Sequence, residues 1–136
     1  MTVKNNFKLP EFQVVNLPGA IIELPTVNED DEMCITEFAV KYGLDAIAVS
    51  LVRKATDVEY VRSLLPPKDT TRIKIFAKIM NHEGLHNYDE ILQEADGIII
   101  CRADLGMEIP PEKVFIAQKW MVEKANLAAK PVVMAN

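Results

Sequence analysis

Four short apolar runs that alternate with longer amphipathic stretches constrain the fold of this chain more than any other feature of its sequence. The runs lie at residues 46–49, 73–77, 98–101 and 132–134. Parallel strands must be joined by crossovers of a dozen or more residues, usually containing a helix, and the spacing of the runs leaves room for them. The sequence therefore predicts an α/β fold in which four buried parallel strands alternate with helices.

The first amphipathic stretch carries signals for both ends of a helix. Asn28 precedes four acidic residues, which suits a helix N-terminus, and Gly43 suits the left-handed position that follows a helix. We expect this helix to present one apolar face to the core. The members of that face, at helical spacing, are Ile35, Phe38, Ala39 and Tyr42.

Three further helices are predicted along the chain. Thr56 and Asn87 each precede a glutamate by three residues, the spacing of a capping box, and they are expected to begin the second and third helices. The fourth helix is expected from Pro111 to about residue 127. The segment before the third helix contains Gly84 and is expected to be a loop or a frayed turn.

The length of the chain bounds the architecture. An α/β sequence of this kind fits either a doubly wound sheet or part of a (β/α)8 barrel. A complete barrel takes about 250 residues, and this chain has 136, so its four units correspond to half of a barrel. Residues 1–15 show no clear period and are expected to form an irregular lead-in, whereas residues 16–136 are expected to form the α/β domain.

The composition excludes several classes of protein. No apolar run approaches the ~20 residues of a membrane span, and the N-terminus lacks the apolar region of a secretory signal. The 15 Lys and Arg residues are interleaved with 20 Asp and Glu residues, so no basic patch indicates nucleic-acid binding. Cys34 and Cys101 form no zinc-binding or disulfide pattern. We expect a cytoplasmic protein whose partners are small molecules or proteins.

Charged residues follow two of the predicted strands. Lys78 comes directly after the second apolar run, and Asp104 lies shortly after the third. Because parallel strands end at the same edge of a sheet, the two side chains can contact one anionic substrate through a metal ion. The alternative interpretation is that both are solvated charges at strand ends. Arg53 and Lys54 also leave two interpretations open, a phosphate contact or a solvated pair in a loop.

Three stretches of the sequence closely resemble the pyruvate kinase family, and they occur in the same order as in that family. They are NLPGAIIELPTVNEDDE, AIAVSLVRKATDVEYVRSLL and KIFAKIMNHEGLHNYDEILQEADGIIICRADLGMEIPPEKVFIAQKWMVEKANLAAKPVVMAN. The resemblance covers residues 16–136, but only a minor part of a full pyruvate kinase. It implies that this chain forms about half of a TIM (β/α)8 barrel.

The resemblance also implies a reaction and its residues. Members of this family transfer a phosphoryl group from phosphoenolpyruvate to ADP, giving pyruvate and ATP in glycolysis, and they use Mg²⁺ or Mn²⁺ together with K⁺. Lys78 matches the catalytic lysine beside the transferring phosphoryl group, and Asp104 matches a carboxylate ligand of the divalent metal. Ser50 matches a serine of the cation and nucleotide region. The implied substrate-binding positions are Lys78, Ala103, Asp104 and Asn136.

Three residues depart from the family pattern. Met80 occupies the position of the second carboxylate that holds the metal, and a thioether is a soft, weak donor for Mg²⁺. Ala103 replaces a glycine, so its methyl group is expected to block close approach of the backbone to the substrate or to exclude a positive φ. Asn136 replaces a threonine and removes its hydroxyl group. We therefore expect weak metal binding and a severely impaired activity.

The alternative to a catalytic role is a non-catalytic interaction module. Half of a barrel has two open sheet edges, and such edges pair with other chains unless they are blocked. On this interpretation the chain forms homo-oligomers or docks on a full-length subunit of the family.

Overall fold

The four predicted strands lie parallel in a single sheet, and their order in the sheet is that of the sequence. The computed structural model describes residues 4–8, 10–11, 13, 15–67 and 72–135. The strands are β1 (Ala46–Val49), β2 (Lys74–Ile79), β3 (Gly97–Cys101) and β4 (Val132–Ala135). The predicted α/β fold of four parallel strands alternating with helices is confirmed.

Helical segments connect the strands. They are α1 (Glu29–Met33), which continues directly as a π-helix (Cys34–Val40), α2 (Ala55–Ser63), α3 (His82–His86), α4 (Tyr88–Glu94), α5 (Arg102–Glu108) and α6 (Pro111–Leu127). The bounds of α6 are those that the sequence predicts. Among the residues that the structure describes, none of these helices has the length and apolar character of a membrane span.

One face of the sheet is covered and the other is open. In β2 the side chains of Ile75, Ala77 and Ile79 are buried, whereas the alternate side chains of Phe76 and Lys78 remain partly exposed. Side chains alternate between the two faces of a strand, so this pattern means that the helices pack on one face only. A sheet that keeps sequence order and carries its helices on one face has the arrangement of a barrel segment.

The core lies between the covered face of the sheet and the helices. Fully buried side chains come from both layers: Val58, Val61, Ile75, Ile79, Ile91, Ile98, Ile100, Leu105 and Met121. Tyr88 at the start of α4 is also fully buried, and its hydroxyl group donates a hydrogen bond of 2.7 Å to the carbonyl oxygen of Met121 in α6. Burial raises the pKa of the Tyr88 phenol, so the hydroxyl stays protonated and joins the two helices.

The first helix differs from the prediction in its geometry. Asn28 is its N-cap and accepts a hydrogen bond from the backbone of Asp31, as the sequence predicts. After Met33, however, the helix continues as a π-helix, whose i→i+5 hydrogen bonds give a wider turn. The predicted apolar face is therefore split: Ile35 and Ala39 are buried, but Phe38 and Tyr42 are 55% and 64% exposed.

One predicted helix start and one predicted loop are also corrected. The cap of α2 comes from Asp57, whose carboxylate accepts hydrogen bonds from the backbone nitrogens of Arg53 and Lys54, and not from Thr56. A helix, α3, forms where a loop or a frayed turn is expected, because the side chain of Asn81 accepts a hydrogen bond from the backbone of Gly84. In both cases the capping side chain lies within four residues of the backbone group that it caps.

Asp96 joins three elements of the fold. Its carboxylate accepts hydrogen bonds from the backbone nitrogen of Ile75 at 2.9 Å and from the guanidinium of Arg62 at 3.1 Å. Its own backbone nitrogen donates to the carbonyl oxygen of Ile75 at 2.8 Å. Burial raises the pKa of the Asp96 carboxyl, but the hydrogen bond from Ile75 and the charge of Arg62 outweigh it, and the net pKa is lowered.

Replacing Asp96 with Asn should lower the free energy of unfolding by about 1–2 kcal/mol at pH 7, because the charge-assisted bond to Arg62 is lost. A carboxyl group whose pKa is lowered on folding stabilises the native state above its unfolded pKa, and this contribution disappears as the pH falls through the folded value. The difference between Asp96→Asn and the original chain should therefore shrink below about pH 4. Urea unfolding of both chains at several pH values measures this difference in the free energy of unfolding.

Asp89→Asn is the matched control for this experiment. Asp89 pairs with Lys124 at 2.5 Å, but its side chain is 63% exposed. Exposed ion pairs contribute about 0–1 kcal/mol, so this variant should have a smaller effect. Equal losses in the two variants would contradict the role assigned to Asp96.

Candidate functional site

The carboxyl ends of the four strands meet at one edge of the sheet, and the candidate residues lie there. Ser50 directly follows β1, Lys78 is the penultimate residue of β2, and Asp104 lies in the first turn of α5, which begins directly after β3. The register pairs Val49 of β1 with Ala77 of β2, so the next residues, Ser50 and Lys78, are neighbours. The fold thus gathers residues that are far apart in the chain.

Ser50 and Lys78 are in direct contact. The ammonium group of Lys78 donates a hydrogen bond of 2.9 Å to the hydroxyl oxygen of Ser50. Lys78 is partly buried and Ser50 is exposed, on the sheet face that no helix covers. The ammonium group is therefore held at the edge of the sheet and remains open to an anion from solvent.

Cys101, the last residue of β3, is under the influence of the charges of both Lys78 and Asp104, and it is not among the predicted site residues. Its side chain is buried at the end of β3. Burial raises the pKa of the Cys101 thiol, while the charge of Lys78 lowers it and the charge of Asp104 raises it. Both charges act on the same thiol, so Lys78 and Asp104 lie in the neighbourhood of the end of β3. The signal that could have identified Cys101 is its place as the last residue of an apolar run.

Ala103 lies in a conformation that needs no glycine. It is the second residue of α5 and is exposed. The non-glycine residues with positive φ among those described are Leu51 and Ala129, so no strain arises at Ala103. Of the two effects expected from its methyl group, only the obstruction of a substrate remains as a prediction. Asn136, the other predicted substrate-binding position at this edge, lies outside the described residues.

The residues at this edge do not fit a resident divalent metal. Met80 follows β2 at the position where the resemblance implies a carboxylate, and Asp104 is the one carboxylate among the predicted site residues. Within the described part of the chain, no group of three or more His, Cys, Asp or Glu side chains is placed to hold a metal ion. Hard cations such as Mg²⁺ prefer several oxygen ligands, which a thioether does not supply.

The two basic residues after β1 have different roles, and only Arg53 departs from both interpretations of the sequence. The guanidinium of Arg53 donates to the carbonyl oxygens of Ile22 and Leu24, and is therefore neither a phosphate ligand nor a solvated charge. Lys54 is exposed and pairs with Glu83 of α3 at 3.7 Å. Both residues tie the loop after β1 to neighbouring segments.

Known proteins resemble this chain over nearly its whole length. The family model described as pyruvate kinase, barrel domain, matches residues 1–136. Pyruvate kinase of Eimeria tenella is 56% identical over 122 residues, which are 90% of this chain and 23% of that protein. A cytosolic isozyme of pyruvate kinase from Solanum tuberosum is 48% identical over 133 residues, 98% of this chain and 26% of that protein.

A solved structure shows the same similarity in three dimensions. The structure of Cryptosporidium parvum pyruvate kinase in complex with ADP superposes with a TM-score of 0.81 and 48% sequence identity, covering 88% of this chain and 25% of that one. The chain spans about a quarter of the length of these relatives. The expected barrel segment is confirmed by this similarity together with the matching family model.

The rate at which Cys101 is alkylated should report the charges on either side of it. In a Cys34→Ser background, Asp104→Asn should speed the reaction of Cys101 with iodoacetamide, because it removes the charge that raises the thiol pKa. Lys78→Met should slow the reaction, because it removes the charge that lowers the thiol pKa. The two substitutions should therefore change the thiolate fraction of Cys101, and with it the rate of alkylation, in opposite directions.

Mass spectrometry of the alkylated chain measures these rates. Glu108→Gln, at the far end of α5, is the control and should leave the rate unchanged. Equal rates in all three variants would contradict the placement of Lys78 and Asp104 beside Cys101.

Proposed function

Because the chain belongs to the pyruvate kinase family, we propose that it supplies part of a site for phosphoryl transfer between phosphoenolpyruvate and ADP. The observation that carries this proposal is the contact between the Lys78 ammonium group and the Ser50 hydroxyl at the carboxyl edge of the sheet. ADP is proposed as the nucleotide because the related Cryptosporidium parvum enzyme binds it. The products would be pyruvate and ATP.

Lys78 has the chemistry for the central task of this reaction. Phosphoryl transfer spreads negative charge over the oxygens of the transferred group, and a preorganised cation lowers the energy of that transition state. The hydrogen bond to Ser50 restricts the ammonium group before the substrate arrives, so less ordering is needed on binding. Lys78 is therefore the proposed catalytic residue, and Ser50 orients it.

The divalent metal and K⁺ are the cofactors that the family implies, and this chain is proposed to bind the divalent metal weakly. Asp104 supplies one carboxylate, and Met80 adds a thioether where a second carboxylate is needed. We therefore propose that the chain is a member of the family whose activity is severely impaired.

Substituting Met80 with Glu should increase the affinity for Mn²⁺ at least about tenfold, because it adds a second carboxylate ligand, and even the loss of a residue that only supports a metal ligand costs about 10–100-fold in affinity. The measurement is a titration of free Mn²⁺ by electron paramagnetic resonance, in the presence of phosphoenolpyruvate, on the original chain and on the variant. Tight binding by the original chain would contradict the proposed impairment.

Met107→Glu is the matched control for this titration. It adds the same charge to an exposed position of α5, where the native side chain is 54% exposed. It should leave Mn²⁺ binding at the level of the original chain. If neither Met80→Glu nor the original chain binds Mn²⁺, the proposal that Met80 is the cause of weak metal binding is wrong.

The cytoplasm is the proposed location of the protein. This proposal is supported by the related isozyme of Solanum tuberosum, which is named as cytosolic. The mixed charge of the chain and the absence of a basic patch in its sequence support small molecules and proteins as partners rather than nucleic acids or membranes.

A second candidate function is that of an interaction module, and the exposure of the edge strands favours it. β1 and β4 each pair with one neighbour in the described sheet. Val133 and Met134 of β4 are 46% and 39% exposed, whereas the corresponding apolar residues of the central strands are largely buried. A cavity of about 360 Å³ lies along β1, lined by Ile35, Ala39 and Ile47 among others.

A second copy of this chain is the proposed partner. Eight parallel strands close a barrel, and two copies of a four-stranded sheet would bring β4 of each copy beside β1 of the other. A two-fold axis relates such copies, which is the commonest symmetry of homo-oligomers. The apolar open face of both sheets would then become the interior of one barrel.

Light scattering at micromolar concentrations should show a dimer of the original chain. Val133→Lys places a charge on the edge strand and should shift the equilibrium to monomers, because charged side chains on edges oppose strand pairing. Phe115→Lys, at a 60% exposed position of α6, is the control and should remain dimeric. A folded monomer of the original chain would contradict this candidate function, and binding only to a full-length subunit would replace the second copy as the partner.

A further inference from the structure

The loop between β1 and α2, residues 50–54, contains a strained residue directly after Ser50. Leu51 has a φ of 55°, in the left-handed region that large side chains rarely adopt. A backbone in this region persists only where the surrounding contacts enforce it. The position of Ser50, and therefore its contact with Lys78, depends on whatever holds Leu51 in this conformation.

Arg53 anchors the loop on one side. Its guanidinium donates hydrogen bonds to the carbonyl oxygen of Ile22, to the carbonyl oxygen of Leu24 at 2.5 Å and to the hydroxyl of Thr26 at 3.2 Å. The Arg53 side chain is only 12% exposed, and its Nε lies 4.0 Å from the carboxylate of Asp57. The planar guanidinium has five N–H donors in a fixed arrangement, which suits several acceptors at once.

The loop is held on its other side by α3 and the residue after it. The side-chain amide of Asn87 donates a hydrogen bond of 2.9 Å to the carbonyl oxygen of Arg53. Val52 is fully buried, and its carbonyl oxygen lies so close to Gly84 that a Cβ atom there would be only 2.5 Å away. These contacts leave the loop little freedom between Ser50 and the start of α2.

We propose that Arg53 is a positioning residue for Lys78, acting through the strained backbone at Leu51. By fixing the residues after Leu51, Arg53 enforces the left-handed conformation that places the Ser50 hydroxyl against the Lys78 ammonium group. Arg53 contacts neither of these two groups. The importance of this positioning for phosphoryl transfer rests on the proposed function, but the positioning itself is measurable without a substrate or a metal.

The experiment measures the exchange of the Lys78 ammonium protons with water by NMR, on the whole chain labelled with ¹⁵N-lysine. Ser50→Ala removes the acceptor and defines the rate for a lost hydrogen bond, which should be about fivefold faster. Arg53→Lys keeps the charge but loses the arrangement of donors. This variant should raise the exchange rate of the Lys78 ammonium protons by at least half as much as Ser50→Ala does. Arg62→Lys is the matched control, because Arg62 also binds a carbonyl oxygen and a carboxylate but lies at the other end of α2.

Combining Arg53→Lys with Leu51→Gly tests the route through the strained backbone. Glycine adopts positive φ without steric cost, so the loop no longer needs Arg53 to hold that conformation, and slow exchange at Lys78 should return. If Arg53 only stabilised the fold, Leu51→Gly would not restore slow exchange at Lys78. Rapid exchange in the double variant, or slow exchange in Arg53→Lys alone, overturns the proposal.

Asn87→Ala provides a second, milder variant if Arg53→Lys does not fold. It removes the hydrogen bond to the carbonyl oxygen of Arg53 and should also accelerate the exchange of the Lys78 ammonium protons. Adding Leu51→Gly should again restore slow exchange. Slow exchange in Asn87→Ala would overturn the proposal. Because no substrate, nucleotide or metal is added, these results are independent of whether the proposed reaction occurs.

Discussion

The parallel pairing of four strands in sequence order is the constraint on which the rest of the structure depends. Parallel neighbours cannot be joined by a tight turn, so a helical crossover must lie between each strand and the next. When all crossover connections have the same handedness and the strand order never reverses, the connections all lie on the same face of the sheet. The helices α2, α4 and α6 therefore bury one face, while the other face and the two edge strands remain exposed.

The same constraint gathers the polar residues. Parallel strands end at a common edge, so the residues after each strand meet there although 20 to 30 positions separate them in the chain. Ser50 and Lys78 form a hydrogen bond at this edge, and Asp104 begins the next connection. An ammonium group with a fixed acceptor and an open side is suited to bind an anion, which an isolated charge at a strand end is not.

The core of this chain and its proposed site place separate demands on the sequence. Identity of about half to the related pyruvate kinases extends over nearly the whole chain, and the buried positions form an intact core. Met80, by contrast, is partly exposed at the end of a strand, where an apolar side chain does not disturb the packing. A substitution there would change the ligands available at the proposed metal site and leave the packing of the sheet unchanged, because sites are built on the ends of strands and the core is built between the sheet and the helices.

The sequence by itself determined the strands, the alternation with helices and the bounds of α6. The signals for these elements, apolar periodicity and a proline at the helix start, lie within the elements themselves. The places of Lys78 and Asp104 after two strands identified them as candidates, and the family resemblance assigned their roles and added Ser50. Only the tertiary structure decided the π-helix after Met33, the caps of α2 and α3, and the long-range contacts of Arg53 with residues 22–26. The two caps lie within four residues of the groups that they satisfy, but the local signals at Thr56 and Gly84 indicated other arrangements. The contacts of Arg53 depend on which segments meet in space, and local sequence signals carry no information about partners that lie about thirty residues away.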